Sequence, residues 1–198
     1  MAENQTPGRR EAAKAAKRAR ILAAAQAHLR SVGYESMTMA QVARDADIAI
    51  GTVFTYAATK AELLMMVTAE RWSGQVPLVL AAPTHDDPVV AIRELLQPLV
   101  DTSTLEPQTC AAIARELLFG TDGPHQRSVV ALVAELESAI AGVITQAQPT
   151  RHAAAAARLV IAGGLMEVNR ARTGKAAREA LEQGLTEMIT VAVHGAHP

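Results

Sequence analysis

A short run of side chains between residues 52 and 60 contains the groups best suited to binding. Thr52 and Thr55 carry hydroxyls, Tyr56 carries a phenol and Lys60 carries an ammonium group. Hydroxyls hydrogen-bond to base edges, and ammonium groups bind phosphate oxygens. No serine, histidine and aspartate in a catalytic setting accompany them, so the run predicts noncovalent binding rather than catalysis.

Two very short helices must position these groups. The first has an apolar face and Thr38 as its N-cap, and the second spans about residues 50–56 with Val53 turned inward. The residues predicted to face outward are Thr52, Thr55 and Tyr56. Isolated helices in water need about 12–15 residues to be even marginally stable, so neighbours must hold these two at a fixed angle. Such a pair is typical of a helix-turn-helix, whose second helix can lie in the DNA major groove.

At these residues the chain resembles the TetR family of transcriptional regulators. The matching positions are Thr38, Val42-Ala43, Ile48, the run Gly51-Thr52-Val53-Phe54, Tyr56, Lys60 and Glu62-Leu63. Some positions depart from the family pattern: Asp47 replaces a turn glycine, Ala49 a capping serine, Ile50 a polar or basic residue, and Ala57 an aromatic residue.

The resemblance implies that one set of residues binds DNA. The predicted set is Thr38, Gln41, Arg44, Ala49, Ile50, Thr52, Thr55, Tyr56 and Lys60. Thr38, Tyr56 and Lys60 resemble the family's phosphate anchors, and the residues of the second helix face the groove. Ala49 and Ile50 favour thymine methyl groups, since they offer no polar side-chain atom. The alternative is a helical ligand-binding or interaction module with weak or lost operator recognition.

Charge separates the chain into two predicted domains, residues 1–59 and 60–198. Residues 1–60 hold nine Lys/Arg against five Asp/Glu, a net charge of +4, whereas residues 61–198 hold ten against fifteen, a net charge of −5. A basic reading head on an acidic body fits this distribution. The basic run Arg9–Arg20 is either a solvated helix face or an arm that adds phosphate or minor-groove contacts.

Hydrophobic periodicity predicts an all-α chain of about nine helices, with a three-helix head followed by a larger bundle. The predicted helices cover about residues 9–31, 39–45, 50–56, 60–75, 88–102, 107–119, 125–147, 150–172 and 175–194. Pro77 and Pro83 are expected to end the fourth helix, and Thr173-Gly174 forms a hinge between the last two. The sequence contains no β-hairpin signal and no glycine-rich phosphate loop.

By resemblance, the acidic body would bind a small hydrophobic effector that releases a repressor from DNA. The candidate pocket residues are Met65, Met66, Trp72, Leu95, Leu99, Cys110, Ile113, Leu117, Leu136 and Ile140, although an ordinary core would contain the same residues. The helix from Lys60 is expected to be the only short path between this pocket and the head.

The two last helices are rich in small residues, which indicates either internal packing or a homodimer interface. The candidate interface residues are Leu159, Gly163, Met166, Leu181, Leu185 and Met188. A two-fold dimer would present two heads about 34–36 Å apart to a palindromic double-stranded operator.

We expect no enzymatic activity, no cofactor and no metal. His194 and His197 lack a third ligand, and Cys110 lies in an apolar run that favours inert packing. A single cysteine excludes an intramolecular disulfide and fits a reducing compartment. The sequence has no signal-peptide core and no long uninterrupted apolar stretch, so we expect a cytoplasmic protein without a membrane partner.

Overall fold

The computed structural model describes residues 8–82, 85–170 and 175–195, and every regular element among them is an α-helix. The helices are α1 (Arg9–Ser31), α2 (Gly33–Ser36), α3 (Met39–Asp45), α4 (Ile50–Tyr56), α5 (Lys60–Ala81), α6 (Pro88–Leu95), α7 (Gln97–Leu105), α8 (Pro107–Phe119), α9 (Pro124–Ala147), α10 (Ala153–Arg170) and α11 (Lys175–His194). The all-α class is confirmed. The predicted hinge at Thr173-Gly174 lies outside the described residues.

Two local features raise the number of helices above the predicted nine. The one-turn helix α2 follows α1 directly, and its first residue, Gly33, has a φ of 75°, a left-handed conformation that glycine adopts at little cost. The predicted helix over residues 88–102 is divided into α6 and α7 at Leu96. Pro98 cannot donate the backbone hydrogen bond that a continuous helix needs there.

The connecting helix α5 is longer than predicted. Pro77 was expected to end it, but the helix continues through this proline to Ala81. Val76 is completely buried, and Val79 packs against the same core. An internal proline costs about 3 kcal/mol, and burial of a valine side chain contributes about 1.5–3 kcal/mol, so packing offsets the lost hydrogen bond.

Side-chain caps start the helices that support the head. The Gln41 backbone N–H donates to Thr38 Oγ1 at 3.2 Å, and the Thr38 N–H donates to Gln41 Oε1 at 2.8 Å, forming a capping box at the start of α3. Thr59 Oγ1 likewise accepts from the Glu62 N–H at 3.0 Å at the start of α5. Thr38 is therefore confirmed as an N-cap.

One continuous hydrophobic core joins the head to the bundle. In the head, α1 packs against α3 and α5, and α3 packs against α4. In the bundle, α5 packs most extensively against α9, which contacts α10, and α10 contacts α11. Since α5 belongs to both parts, the predicted domain boundary at residues 59/60 falls at the helix that they share, and it stays a prediction.

By length and composition, α9 is the one helix in the described part of the chain that could cross a membrane. Its buried residues Val129, Leu136, Ile140 and Ile144 belong to the common core, and the helix packs against α5, α6 and α10. These contacts make α9 a bundle helix.

The turn between α3 and α4 contains a non-glycine residue in a left-handed conformation. This residue, Asp47, has a φ of 52°. Its side chain is 98% exposed, and its Oδ2 lies 3.4 Å from Arg20 Nη1. A left-handed conformation costs an L-residue about 1–2 kcal/mol, whereas glycine adopts it freely. We expect Asp47→Gly to raise the free energy of unfolding by about 0.5–1 kcal/mol in urea denaturation.

Ala46→Gly is the matched control for this turn, because Ala46 has a φ of −79° and is buried. It should lower the free energy of unfolding. If Asp47→Gly lowered it as much as Ala46→Gly does, the backbone at Asp47 would not be a source of strain.

Candidate functional site

The exposed face of α4 consists of two neighbouring pairs of residues. Ile50 and Phe54 lie one turn apart, and each side chain is 46% exposed. Gly51 and Thr55 form the adjacent exposed pair. Val53 points the other way and is completely buried, as predicted. The helix therefore presents a surface that is mainly apolar.

This face is rotated from the one predicted. Thr52 and Tyr56 are half-buried rather than fully outward. The Tyr56 hydroxyl donates to the backbone carbonyl of Lys14 in α1 at 3.0 Å, which draws the ring against the head. Phe54 was absent from the predicted contact set because that set favoured polar side chains, although its spacing of four residues from Ile50 would have found it.

Several predicted DNA contacts already have partners inside the protein. Lys60 Nζ donates to the carbonyl of Glu35 at 2.9 Å, and Arg44 Nε donates to Asp45 Oδ1 at 2.9 Å. Thr55 Oγ1 donates to the Gly51 carbonyl at 3.0 Å. A contact with DNA by these groups requires a further bond or an exchange of partners, so their assignment stays a prediction.

Asp45 joins α3 to α1. Its carboxylate lies 2.8 Å from His28 Nε2 and also accepts the bond from Arg44. The hydrogen bonds from Arg44 and then His28 hold the pKa of Asp45 below its usual value. The carboxylate therefore stays ionised at neutral pH and offsets part of the positive charge on this side of the head.

The basic run of α1 adds a charged surface to the head. Arg9, Arg10, Lys14 and Lys17 are exposed, which suits contact with phosphates. Arg18 pairs instead with Glu70 of α5 at 2.6 Å, so this part of the run fastens α1 to the connecting helix.

A clamp around Tyr34 joins the head to the body. The ring of Tyr34 in α2 is buried. Its centroid lies 4.5 Å from Lys60 Nζ and 5.6 Å from the guanidinium carbon of Arg115 in α8. Arg115 Nη1 is also 3.4 Å from Glu35 Oε1. Burial is the main cause that raises the pKa of Tyr34. Two cations therefore hold one neutral ring through cation–π contacts.

His125, at the start of α9, makes a second junction. Its backbone N–H donates to Glu62 Oε1 at 2.8 Å, and its ring Nε2 lies 2.9 Å from the carbonyl oxygen of Tyr56. A carbonyl oxygen only accepts hydrogen bonds, so Nε2 carries the proton and donates. The last residue of α4 is therefore attached to α1 through its hydroxyl and to α9 through its carbonyl.

These junctions correct the expectation that α5 is the only short path between body and head. Both α8 and α9 reach the head through side chains, Arg115 and His125. Helix α5 remains one of the connections, but it is not alone.

The predicted effector residues lie in the interior of the body. Met65, Met66 and Trp72 of α5, Leu95 of α6, Leu99 of α7, Cys110 and Ile113 of α8, and Leu136 and Ile140 of α9 are buried, and Leu117 of α8 is half-buried. Trp72 Nε1 donates to Thr102 Oγ1 at 3.3 Å, and Arg71 Nη2 donates to Glu106 Oε1 at 2.6 Å. Burial raises the pKa of Cys110 to about 12, so its thiol is protonated and poorly nucleophilic at neutral pH.

An open groove of 760 Å³ lies on another side of α8. Its lining includes the apolar residues Ala112 and Phe119 of α8 and Leu165 of α10, together with the charged residues Glu35 and Arg115. None of the predicted pocket residues lines it. Since Arg115 also contacts Tyr34, the groove adjoins the junction between body and head.

The six proposed interface residues differ in exposure, and two of them, Gly163 and Met188, are half-buried. Leu159 and Met166 of α10 are 68% and 58% exposed, whereas Leu181 and Leu185 of α11 are buried inside the protomer. Leu181 and Leu185 therefore cannot offer surface to a second copy of the chain, and their assignment to the interface requires correction.

The glycine pair of α10 serves internal packing. A Cβ atom at Gly163 would overlap Met188 Sδ, and one at Gly164 would lie 3.4 Å from Leu99. The close approach between α10 and α11 is therefore made within one chain. Sequence patterning could not separate the two roles, because small residues occur on several sides of both helices.

No group of three or more His, Cys, Asp or Glu residues that could hold a metal occurs in the described ranges. His197, one of the two histidines considered above, lies outside them.

Comparison with known proteins identifies relatives of both the head and the whole fold. Residues 21–66 match the family model described as bacterial regulatory proteins, tetR family. Over 144 residues, the chain is 26% identical to the HTH-type transcriptional repressor KstR of Rhodococcus jostii (strain RHA1), covering 73% of this chain and 67% of that protein.

Two solved structures have the same fold. The TetR family transcriptional repressor FadR of Thermus thermophilus, in complex with lauroyl-CoA, is 21% identical with a TM-score of 0.66, covering 91% of this chain and 95% of that chain. A transcriptional regulator from Rhodococcus sp. Rha1 is 19% identical with a TM-score of 0.68, covering 90% of this chain and 97% of that chain.

Proposed function

The chain belongs to the TetR family of bacterial regulatory proteins, and we propose that it is a repressor released from its operator by a hydrophobic ligand. The observation that carries this proposal is the exposed face of α4 on a basic helix-turn-helix head that residues of the body hold in place. We expect a cytoplasmic protein without enzymatic activity, in keeping with its family.

The head binds double-stranded DNA with α4 in the major groove. The exposed basic residues of α1 supply phosphate contacts that do not depend on sequence. Thr38, Tyr56 and Lys60 add anchoring contacts at the two ends of the motif, with Lys60 exchanging its bond to the Glu35 carbonyl for a phosphate oxygen.

The effector is a hydrophobic molecule with an acyl chain. One relative by fold was solved with lauroyl-CoA. In this chain, α8 lies between two candidate ligand sites, the apolar interior of the body on one side and the open groove of 760 Å³ on the other. Ligand sites commonly occupy about 300–1,000 Å³. A ligand on either side displaces α8 and, with it, the Arg115 contacts to Tyr34 and Glu35.

The functional unit is a two-fold dimer made by α10 and α11. Leu159 and Met166 of α10 and Val191 of α11, which is 71% exposed, supply apolar surface for it. Two heads then address the two halves of a palindromic operator, about one helical turn apart.

A helical ligand-binding or interaction module with weak or lost operator recognition is the second candidate. The absence of polar side chains at the exposed positions Ala49 and Ile50 favours it. A DNA-binding measurement distinguishes the repressor from the interaction module, because a head that has lost operator recognition would bind weakly to all sequences.

The test of DNA binding uses the full-length chain and a duplex selected with it from a randomised pool. We expect tight binding that weakens steeply with salt, because released counterions contribute to affinity. Lys60→Ala should weaken binding to all duplexes about equally and lower the salt slope by about one. Binding would be measured by fluorescence anisotropy across a salt series.

Arg93→Ala is the control, since Arg93 is an exposed arginine of α6 in the body, and the salt slope should not change. A change in sequence preference at an unaltered salt slope would remove Lys60 from the anchors. Failure of the wild-type chain to enrich any duplex would favour the interaction module.

The dimer is tested with a charge at the exposed face of α10. Leu159→Arg should insert an unpaired charge into the interface, at a cost of several kcal/mol, and produce monomers with near-native helicity. Leu78→Arg on α5 is the control, since Leu78 is 71% exposed and lies outside α10 and α11. Sedimentation at micromolar concentration that shows Leu159→Arg still dimeric would place the interface elsewhere.

A further inference from the structure

We propose that the recognition helix reads its operator chiefly through thymine methyl groups, which Ile50 and Phe54 contact in the major groove. This inference rests on the proposed function and adds the class of DNA sequence that the head selects. It requires apolar groups free to touch bases, room for the DNA to approach, and the absence from α4 of polar side chains that could pair bidentately with a base.

The first requirement is met by the pair Ile50 and Phe54. Both side chains lie on one face of α4, four residues apart, and are 46% exposed in the protomer. They form one continuous apolar surface of an aliphatic and an aromatic group. The Lys14 carbonyl of the basic helix α1 accepts a hydrogen bond from Tyr56 at the end of α4, and the exposed basic residues of α1 attract a polyanion, so DNA rather than an apolar protein is the fitting occupant.

Gly51 provides an independent observation. Gly51 is the second residue of α4, and glycine in a helix costs up to about 1 kcal/mol relative to alanine. A Cβ atom at Gly51 would meet nothing within 4 Å, so no contact within the protomer requires a glycine there. The missing side chain is explained if another molecule approaches the backbone closely between Ile50 and Thr55.

The third requirement concerns the polar groups. Helix α4, with the sequence IGTVFTY, contains no amide, carboxylate or basic side chain. Thr55 donates its hydroxyl hydrogen to the Gly51 carbonyl, and Gln41 Oε1 accepts bonds from both the N–H and the hydroxyl of Thr38. Bidentate readout of guanine or adenine by Arg, Lys, Asn or Gln is therefore unavailable on this helix.

The chemistry of the major groove then limits what α4 can distinguish. The C5 methyl of thymine is the apolar group that the four ordinary bases present there, while the other edges present donors and acceptors. An apolar face therefore selects half-sites by the position of their thymines.

The test removes only that methyl group. Each thymine of the selected duplex is replaced in turn by deoxyuridine, and the Kd is measured at constant salt. We expect one or two positions in each half-site to weaken binding about fourfold, the contribution of one buried carbon group. The remaining thymines should tolerate the change.

The protein variants assign the effect to residues. Ile50→Ala and Phe54→Ala should each abolish the deoxyuridine effect at one position, because no contact remains for the methyl group to lose. Val32→Ala is the matched control, since Val32 is also an exposed apolar residue of the head, 45% accessible, and it should retain the full effect.

Three results of these binding measurements would contradict the proposed methyl readout, each at a different step. A duplex that binds the wild-type chain with salt dependence but tolerates deoxyuridine everywhere would overturn the methyl readout and leave the proposed function intact. A deoxyuridine effect that persists in both alanine variants would overturn the assignment to Ile50 and Phe54. Failure to bind any duplex would overturn the inference together with the proposed function.

Discussion

Helices α3 and α4 are too short to hold their own conformation, and the rest of the structure depends on this constraint. Each has seven residues, well below the length at which an isolated helix becomes marginally stable in water. Their orientation is therefore set by contacts from outside. Buried Val42 and Val53 fix one side, while Tyr56 is tied to α1 by its hydroxyl and to His125 of α9 by its carbonyl. The orientation of the exposed face of α4 is consequently set by the body as well as by the head.

This dependence gives the body a means of control. Arg115 extends from α8, a helix that borders both the apolar interior and the open groove, to Tyr34 and Glu35 in the head. A ligand shifts such an arrangement only if it binds one state more tightly than the other. Displacement of α8 changes the contacts on α2 directly, and displacement of α9 changes the contact between His125 and Tyr56. Regulation therefore does not require α5 to act as a single lever.

Local signals in the sequence were sufficient to predict the helix-turn-helix but not its contacts with the body. The N-cap Thr38 and the inward Val53 follow from spacing within a few residues, and these predictions were correct. The contact between Glu35 and Arg115 joins residues 80 positions apart, and no periodicity indicates it. Leu185 was assigned to an interface because α11 carries apolar and small residues on more than one side, and only its packing shows that it is internal.

The central claim is that ligand and DNA compete through one shared arrangement of body and head, and the most direct test measures both affinities. The chain has one tryptophan, Trp72, so its fluorescence can report binding of lauroyl-CoA with and without the selected duplex. Linkage requires the duplex to weaken the ligand by the same factor by which the ligand weakens the duplex, typically 5–150-fold. We expect equal factors of at least about fivefold in the two directions. Lauroyl-CoA that binds with the same affinity in the presence and absence of duplex would contradict the claim, even for a dimer that binds DNA.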